Sequence, residues 1–330
     1  MSTAPATDRV PPLYRSRSLL NQWRDVRTTV VSSPSALRVA HSAELDLTGF
    51  QHVAASNLVQ ARLRDTRRVV ALGSGTTIDA AMFAAHSAGL PVLVIPTVLS
   101  TDAPFSTVTA TRDHGTVVYH ETGAADAVLL DDRVLLASDW HLHHNGLGDL
   151  LAIESAGHDW QRRHPGKQAG IAAAARALVD TATDEPEAWI HPSSPRLELL
   201  AELLATKVHL GLLAGHPGFE EGTEHYLAYF LEPYLVSPAW HGELLFACLL
   251  VSAHLQEWPV ERYDCVSALA ARLPQIRSPR SLVSADKMRE LLPRFPDYCR
   301  RHSTDNTIAC DQEPTQARIR AAVADWERGW

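Results

Sequence analysis

The chain has 330 residues, 45% of them hydrophobic and 21% charged, an ordinary globular composition with material for two cores. A formal net charge of −8 and a pI near 6.1 argue against nucleic acid or an anionic membrane as partner. No apolar run approaches the ~18–20 residues of a membrane span, so neither class of function is expected.

The opening residues, 1 to about 20, read as a loose lead-in rich in Pro, Ser, Thr and Arg, without the apolar core of a secretory signal. Thr28–Val31 predicts a strand ended by Ser32-Ser33-Pro34, and Ser35–His41 a short helix. Gln51–Ala55 predicts a second strand, and Asn57–Asp65 a brief helix with Asn57 as its N-cap. Val69-Val70-Ala71-Leu72 is an apolar run with branched side chains, as a buried parallel strand needs. Gly73-Ser74-Gly75-Thr76-Thr77 then turns tightly and opens a helix over Thr76–Ala88, whose free N–H groups suit an anion such as a pyrophosphate. A fourth strand over Pro91–Ile95 stops at Pro96, and the loop Thr97–Ser106 carries Ser100, Thr101 and Asp102. Ligands of open α/β sheets bind outside the carboxyl ends of the strands, so both loops are expected to border one crevice. The turn is neither G-x-G-x-x-G, because Ile78 stands at the third glycine, nor a P-loop. By spacing alone it could simply join a strand to a helix.

Three β segments follow, roughly Ser106–Thr111, Thr116–Tyr119 and Ala127–Leu130, with Arg112-Asp113-His114-Gly115 as a hairpin turn. From about Ser138 the strand signals stop. Helices are predicted at about 147–163, 167–184, 196–213, 220–235, 241–256, 259–272, 284–293 and 315–328. The expectation is an α/β N-terminal domain with a doubly wound, mostly parallel sheet over residues 1–138, then an all-α C-terminal domain over 139–330. Four cysteines (Cys248, Cys265, Cys299, Cys310) form no C-x-x-C pair, and a cytoplasmic location is expected.

Three segments of the helical half carry chemistry. Asn145-Gly146-Leu147-Gly148-Asp149-Leu150 places a carboxylate at a helix start. Glu221-Gly222-Thr223-Glu224-His225 and Trp240-His241-Gly242-Glu243 each place an imidazole there. One Asp and two His suit a catalytic divalent metal, three protein ligands leaving a position open. Singly, Asp149 could serve only the helix dipole, and each histidine could be packed or surface-bound. His141-Leu142-His143-His144, in a polar turn, reads as a solvated stretch.

The ordered series G-S-G-T-T-I-D, P-T-V-L-S-T-D-A-P-F-S, G-L-G-D, G-T-E-H and H-G-E, across residues 69–243, resembles the iron-containing alcohol dehydrogenase and dehydroquinate synthase-like superfamily. The nearest branches are glycerol dehydrogenase and glycerol-1-phosphate dehydrogenase. The resemblance implies a dehydroquinate synthase-like fold with NAD or NADP held at Gly73, Ser74, Gly75, Thr76 and Asp79. It places Thr97, Ser100 and Thr101 on the nicotinamide side, Asp102 on a substrate hydroxyl, and Asp149, His225 and His241 on the metal. Zinc is the default metal, with iron and nickel as alternatives. A small polyol or ketone, glycerol-like or glycerol-phosphate-like, would react in a cleft between the domains, and the resemblance also implies a homo-oligomer.

Against the family pattern, the first metal ligand is Asp149 rather than the glutamate of sugar-phosphate cyclases, and residues 106–131 contain no lysine. Both favour a metal-dependent, NAD(P)-linked dehydrogenase over a non-redox cyclase-like or lyase-like member. Glu220 and Glu221, after His216-Pro217-Gly218-Phe219, would repel a phosphate dianion and favour an uncharged polyol. Met82 stands near the family's helix lysine, and the stretch Thr28–Arg68 is shorter than the usual pair of β–α units, so the nucleotide domain is shortened at its N-terminal part. A non-catalytic binding protein of the same fold is the third reading.

Overall fold

The computed structural model describes residues 9–58, 63–113, 116–165, 169–191, 193–215, 219–302, 307, 311 and 313–330. Val69 to Leu72 have no exposed surface, as an unbroken apolar run requires of a central parallel strand. They lie in β4 (Arg68–Gly73), flanked by β2 (Thr28–Ser32) and β5 (Val92–Pro96). With β1 (Leu13–Tyr14), β3 (Gln51–Ala54) and β8 (Ala127–Leu129) they form a six-stranded parallel sheet of order β1-β8-β5-β4-β2-β3. The helices of this part are α1 (Ser18–Trp23), α2 (Pro34–Ser42), α3 (Gly75–Ala88) and α4 (Asp132–Ala137). An antiparallel hairpin of β6 (Val108–Asp113) and β7 (Thr116–Glu121) packs on α3; the expected turn residues His114 and Gly115 lie outside the described residues.

Two local expectations change. Within the described part of the lead-in, Leu13 and Tyr14 pair with Val128 and Leu129 and form one sheet edge. Asn57 closes a 3-10 turn, Ala55–Asn57, instead of capping a helix; residues 59–62 of the expected helix lie outside the described residues.

Two compact units are distinguishable, one holding the described residues of 1–143 and 192–209, the other those of 144–191 and 210–330. The second is helical: α5 (His144–Arg163), α6 (Ala169–Thr183), then, after α7 (Ser194–Ala214), which contributes to both units, α8 (Thr223–Leu231), α9 (His241–Gln256) and α10 (Val260–Arg272). Four further helices follow among the described residues: α11 (Pro279–Leu282), α12 (Ala285–Leu291), α13 (Phe295–His302) and α14 (Gln316–Arg328). α9 is buried almost all round, with Leu245, Ala247, Cys248, Leu249 and Val251 fully enclosed, which explains its apolar sequence. No helix among the described residues is long and apolar enough to cross a membrane.

One buried ion pair ties α5 to α10. Arg262 Nε and Nη2 donate to both oxygens of Glu154 at 3.0 and 2.6 Å, and Arg262 also pairs with Asp180. Burial alone would raise the Glu154 carboxyl, but the neighbouring His158, 3.6 Å away, and the hydrogen-bonded Arg262 guanidinium outweigh it and bring it down to about 2. A depressed carboxyl stabilises the fold above its unfolded value of about 4.3, and that contribution is lost as pH falls toward 2. Arg262→Met, which leaves Glu154 buried without its cation, is therefore expected to cost about 3 kcal/mol near pH 7. In denaturant titrations the gap to wild type should shrink between pH 4.5 and 2; a gap independent of pH would refute this account.

Candidate functional site

In the first unit, β4 and β5 end side by side. Gly73 pairs with Pro96, and the Thr97 N–H donates to the Gly73 carbonyl at 2.8 Å. The glycine turn and the Thr97–Ser106 loop thus leave the carboxyl end of the sheet together, as expected for a ligand-binding edge. α3 begins at Gly75 behind Ser74, whose side chain makes no capping hydrogen bond, so it does not occupy the N–H groups of the first turn. A Cβ on Gly75 would stand 3.0 Å from Thr101 Oγ1, and glycine is what lets the helix start sit against that loop.

The loop is held from behind by a histidine that was expected to be solvated. His143 is 4% exposed, and its Nδ1 accepts the Leu99 N–H at 3.1 Å. Its Nε2 meets Ser138 Oγ at 2.9 Å and the Leu135 carbonyl at 3.1 Å. His144 is equally buried, 2.8 Å from the Trp189 carbonyl through Nε2. His143 and His144 are buried, while His141 and Leu142 are half-buried; the Leu99 and Trp189 partners lie 44 and 45 residues away.

Asp79, half-buried on α3, takes a hydrogen bond from the Ala110 backbone on β6. Burial first, and then the Asp102 charge, push its carboxyl up to about 7. Asp102 is itself paired with Lys207, whose Nζ lies 2.8 Å from Asp102 Oδ2 while its side chain is 1% exposed. Sequence reading missed this lysine. Its one signal is position: Leu203, Leu204 and Leu210 mark the apolar stripe of α7, and Lys207 stands on it.

In the second unit, Asp149 of α5, His225 of α8 and His241 of α9 converge. One donor atom from each lies within 4.8 Å of the others, with Asp149 and His225 buried and His241 half-buried. His225 Nε2 faces Asp149 Oδ1 at 3.7 Å. Its Nδ1 meets Glu224 Oε1 at 2.8 Å, and the same oxygen accepts the Gly222 N–H at 2.9 Å. A carboxylate at Nδ1 places the proton there and presents Nε2 as an electron-pair donor, the arrangement metal-binding histidines adopt. Glu224 has no exposed surface, and this role was not read from sequence. Asp159 of α5 caps α8 by accepting the Thr223 N–H at 2.7 Å, which fixes where His225 starts. Tyr229 stacks on His241, ring centroids 6.1 Å apart and 15° between planes.

At the start of α9, the Glu243 N–H donates to Asn145 Oδ1 at 3.0 Å, and Arg277 Nε and Nη2 each reach the Glu243 carboxylate at 2.7 Å. Two imidazoles and a carboxylate, one imidazole pre-oriented by a buried acid, fit a divalent transition metal. Of the acids expected to repel phosphate, Glu220 lies against Gly211 of α7; His216-Pro217-Gly218 are outside the described residues.

Residues 23–138 match the family model described as iron-containing alcohol dehydrogenase. Among curated proteins, the chain is 29% identical over 188 residues to glycerol-1-phosphate dehydrogenase (NAD(P)+) of Methanosarcina barkeri, covering 54% of this chain and 51% of that protein. It is 30% identical over 204 residues to the Methanococcoides burtonii protein of the same name, covering 58% and 56%. The matches span about half the length of these relatives. Among solved structures, a probable glycerol dehydrogenase from Sinorhizobium meliloti superposes with a TM-score of 0.73 at 20% identity, covering 97% of both chains. An iron-containing alcohol dehydrogenase from Thermococcus thioreducens gives 0.72 at 14% identity, covering 98% of this chain and 99% of that one. At such identities the likeness concerns the fold.

Proposed function

We propose that this chain, whose residues 23–138 match the iron-containing alcohol dehydrogenase family model, is a metal-dependent, NAD(P)-linked dehydrogenase of a small polyol. The observation that carries the reading is the convergence of Asp149, His225 and His241, with Glu224 behind His225. Asp149, His225 and His241 would hold the metal, zinc by default and otherwise iron or nickel. The glycine turn Gly73-Ser74-Gly75-Thr76 would take the dinucleotide pyrophosphate on the α3 N–H groups. Thr97, Ser100 and Thr101 would line the nicotinamide side, and Asp79, on the next turn of α3, would support that edge through β6. When bound, the metal supplies Lewis acidity toward an alcohol oxygen and the nicotinamide supplies the hydride acceptor. Asp102 accepts a hydrogen bond from a neighbouring hydroxyl and orients it, while Lys207 holds Asp102 in place.

The test is to determine bound metal by elemental analysis and to offer glycerol and related diols with NAD+ or NADP+, following reduced nucleotide. Metal-dependent reduction supports the reading; stoichiometric metal with no reduction on any diol or hydroxyketone pair would sink it. The short stretch Thr28–Arg68 ahead of the glycine turn motivates one second reading, a cyclase-like or lyase-like reaction. Product without net reduced nucleotide would identify that case.

A further inference from the structure

Lys207 is nearly sealed from solvent, whereas the Asp102 side chain it touches is 21% exposed. A lone ammonium at that depth is costly, and the carboxylate at 2.8 Å offsets the cost. The order of the pair is therefore fixed: the cation lies behind and the carboxylate faces outward. Asp79 sits close enough to raise its own carboxyl against the Asp102 charge, so the cluster carries two acids and one ammonium. A carboxylate held this way only accepts hydrogen bonds, and a ligand must bring donors to it. We propose that Lys207 is a positioning residue for Asp102, and that the Asp102–Lys207 pair selects substrates offering a hydroxyl beside the reacting carbon over substrates offering a phosphate there. The substrate half of this inference rests on the reading of Asp102 as the hydroxyl contact.

Three consequences separate this from a merely structural lysine. The ion pair couples the two residues, so Lys207→Met and Asp102→Asn each lower unfolding stability, while the double variant recovers a large part of the summed loss. Glycerol binding, read as a ligand-dependent rise in melting temperature of the full chain, weakens about 10- to 100-fold in Lys207→Met, the range expected when a charge-assisted hydrogen bond loses its orientation. Lys207→Arg keeps the cation and recovers part of that binding. Where turnover is measurable, the Lys207→Met loss falls on KM more than on kcat.

The experiment compares glycerol with glycerol 1-phosphate as probes on wild type, the two single variants, the double variant and Lys207→Arg. The expected result is that wild type prefers glycerol, and that Asp102→Asn narrows or reverses the preference. Strictly additive stability losses, or unchanged glycerol binding in Lys207→Met, would overturn the proposal. Selective loss of glycerol 1-phosphate in Lys207→Met would also overturn it, making the lysine a phosphate contact. Wild type that binds glycerol without reducing NAD(P)+ would end the dehydrogenase reading and leave this inference standing. Wild type that binds neither probe would end the inference.

Discussion

Alanine at His225 or His241 is expected to remove bound metal and to abolish NAD(P)-linked turnover. The reason is electrostatic as much as geometric. His225 lies between two buried carboxylates, Asp149 facing Nε2 at 3.7 Å and Glu224 at Nδ1 at 2.8 Å. Two carboxylates flanking one imidazole, with a second imidazole alongside, make a donor set that suits a cation. Asp149→Asn preserves shape and loses the charge, and should lose metal nearly as fully. Glu224→Gln keeps every ligand and disturbs only the orientation of His225, so about 10- to 100-fold weaker metal binding is expected. Competition against a chelator of known affinity ranks the four variants without reference to turnover. Full activity in a metal-free His225→Ala/His241→Ala double variant would defeat the proposed function.

The central strands were legible because buried parallel strands are continuous apolar runs: β2, β4 and β5 are each buried at nearly every position. β1 was not, because two residues carry no periodicity and Leu13–Tyr14 is a strand only through its pairing with β8. The helix Asp132–Ala137 was missed for a related reason: six residues give less than two turns of pattern, although Asp131 caps it through the Val134 N–H. At the candidate sites, residue types and their order pointed to Asp149, His225 and His241, and the fold brings donors from all three together. What sequence could not show was what stands behind them. Glu224 is visible as half of a Glu-His pair, but its bond to Nδ1 is a tertiary outcome. Lys207 and Asp102 are 105 residues apart, and His143 finds the Leu99 N–H 44 residues away. Such partners are chosen by packing, and single-sequence patterns do not encode them.

Gly242→Ala is expected to damage the metal cluster although it removes no ligand. α5 and α9 meet backbone to backbone at Gly148 and Gly242. A Cβ on Gly242 would lie 1.8 Å from the Asn145 carbonyl oxygen, and one on Gly148 would lie 2.1 Å from the Gly242 carbonyl oxygen. Neither contact involves a flexible side chain, so a methyl group can enter only if the helices separate. Asp149 follows one of these glycines and His241 precedes the other, so the crossing sets the distance between two of the three donors. Asn145, which receives the Glu243 N–H at 3.0 Å, is strained by the same shift. Overpacking of this kind costs about 2–3 kcal/mol, and the widened cluster should bind metal more weakly in the same chelator competition. Gly157→Ala, on α5, is the matched control. Nothing stands within 4 Å of its added Cβ, so it should be neutral or gain about 0.5–1 kcal/mol from helix propensity. If Gly242→Ala matches wild type in both unfolding stability and metal affinity, the glycine crossing does not set the ligand geometry. If it loses stability alone, the crossing serves the fold and the three donors are held by their own caps.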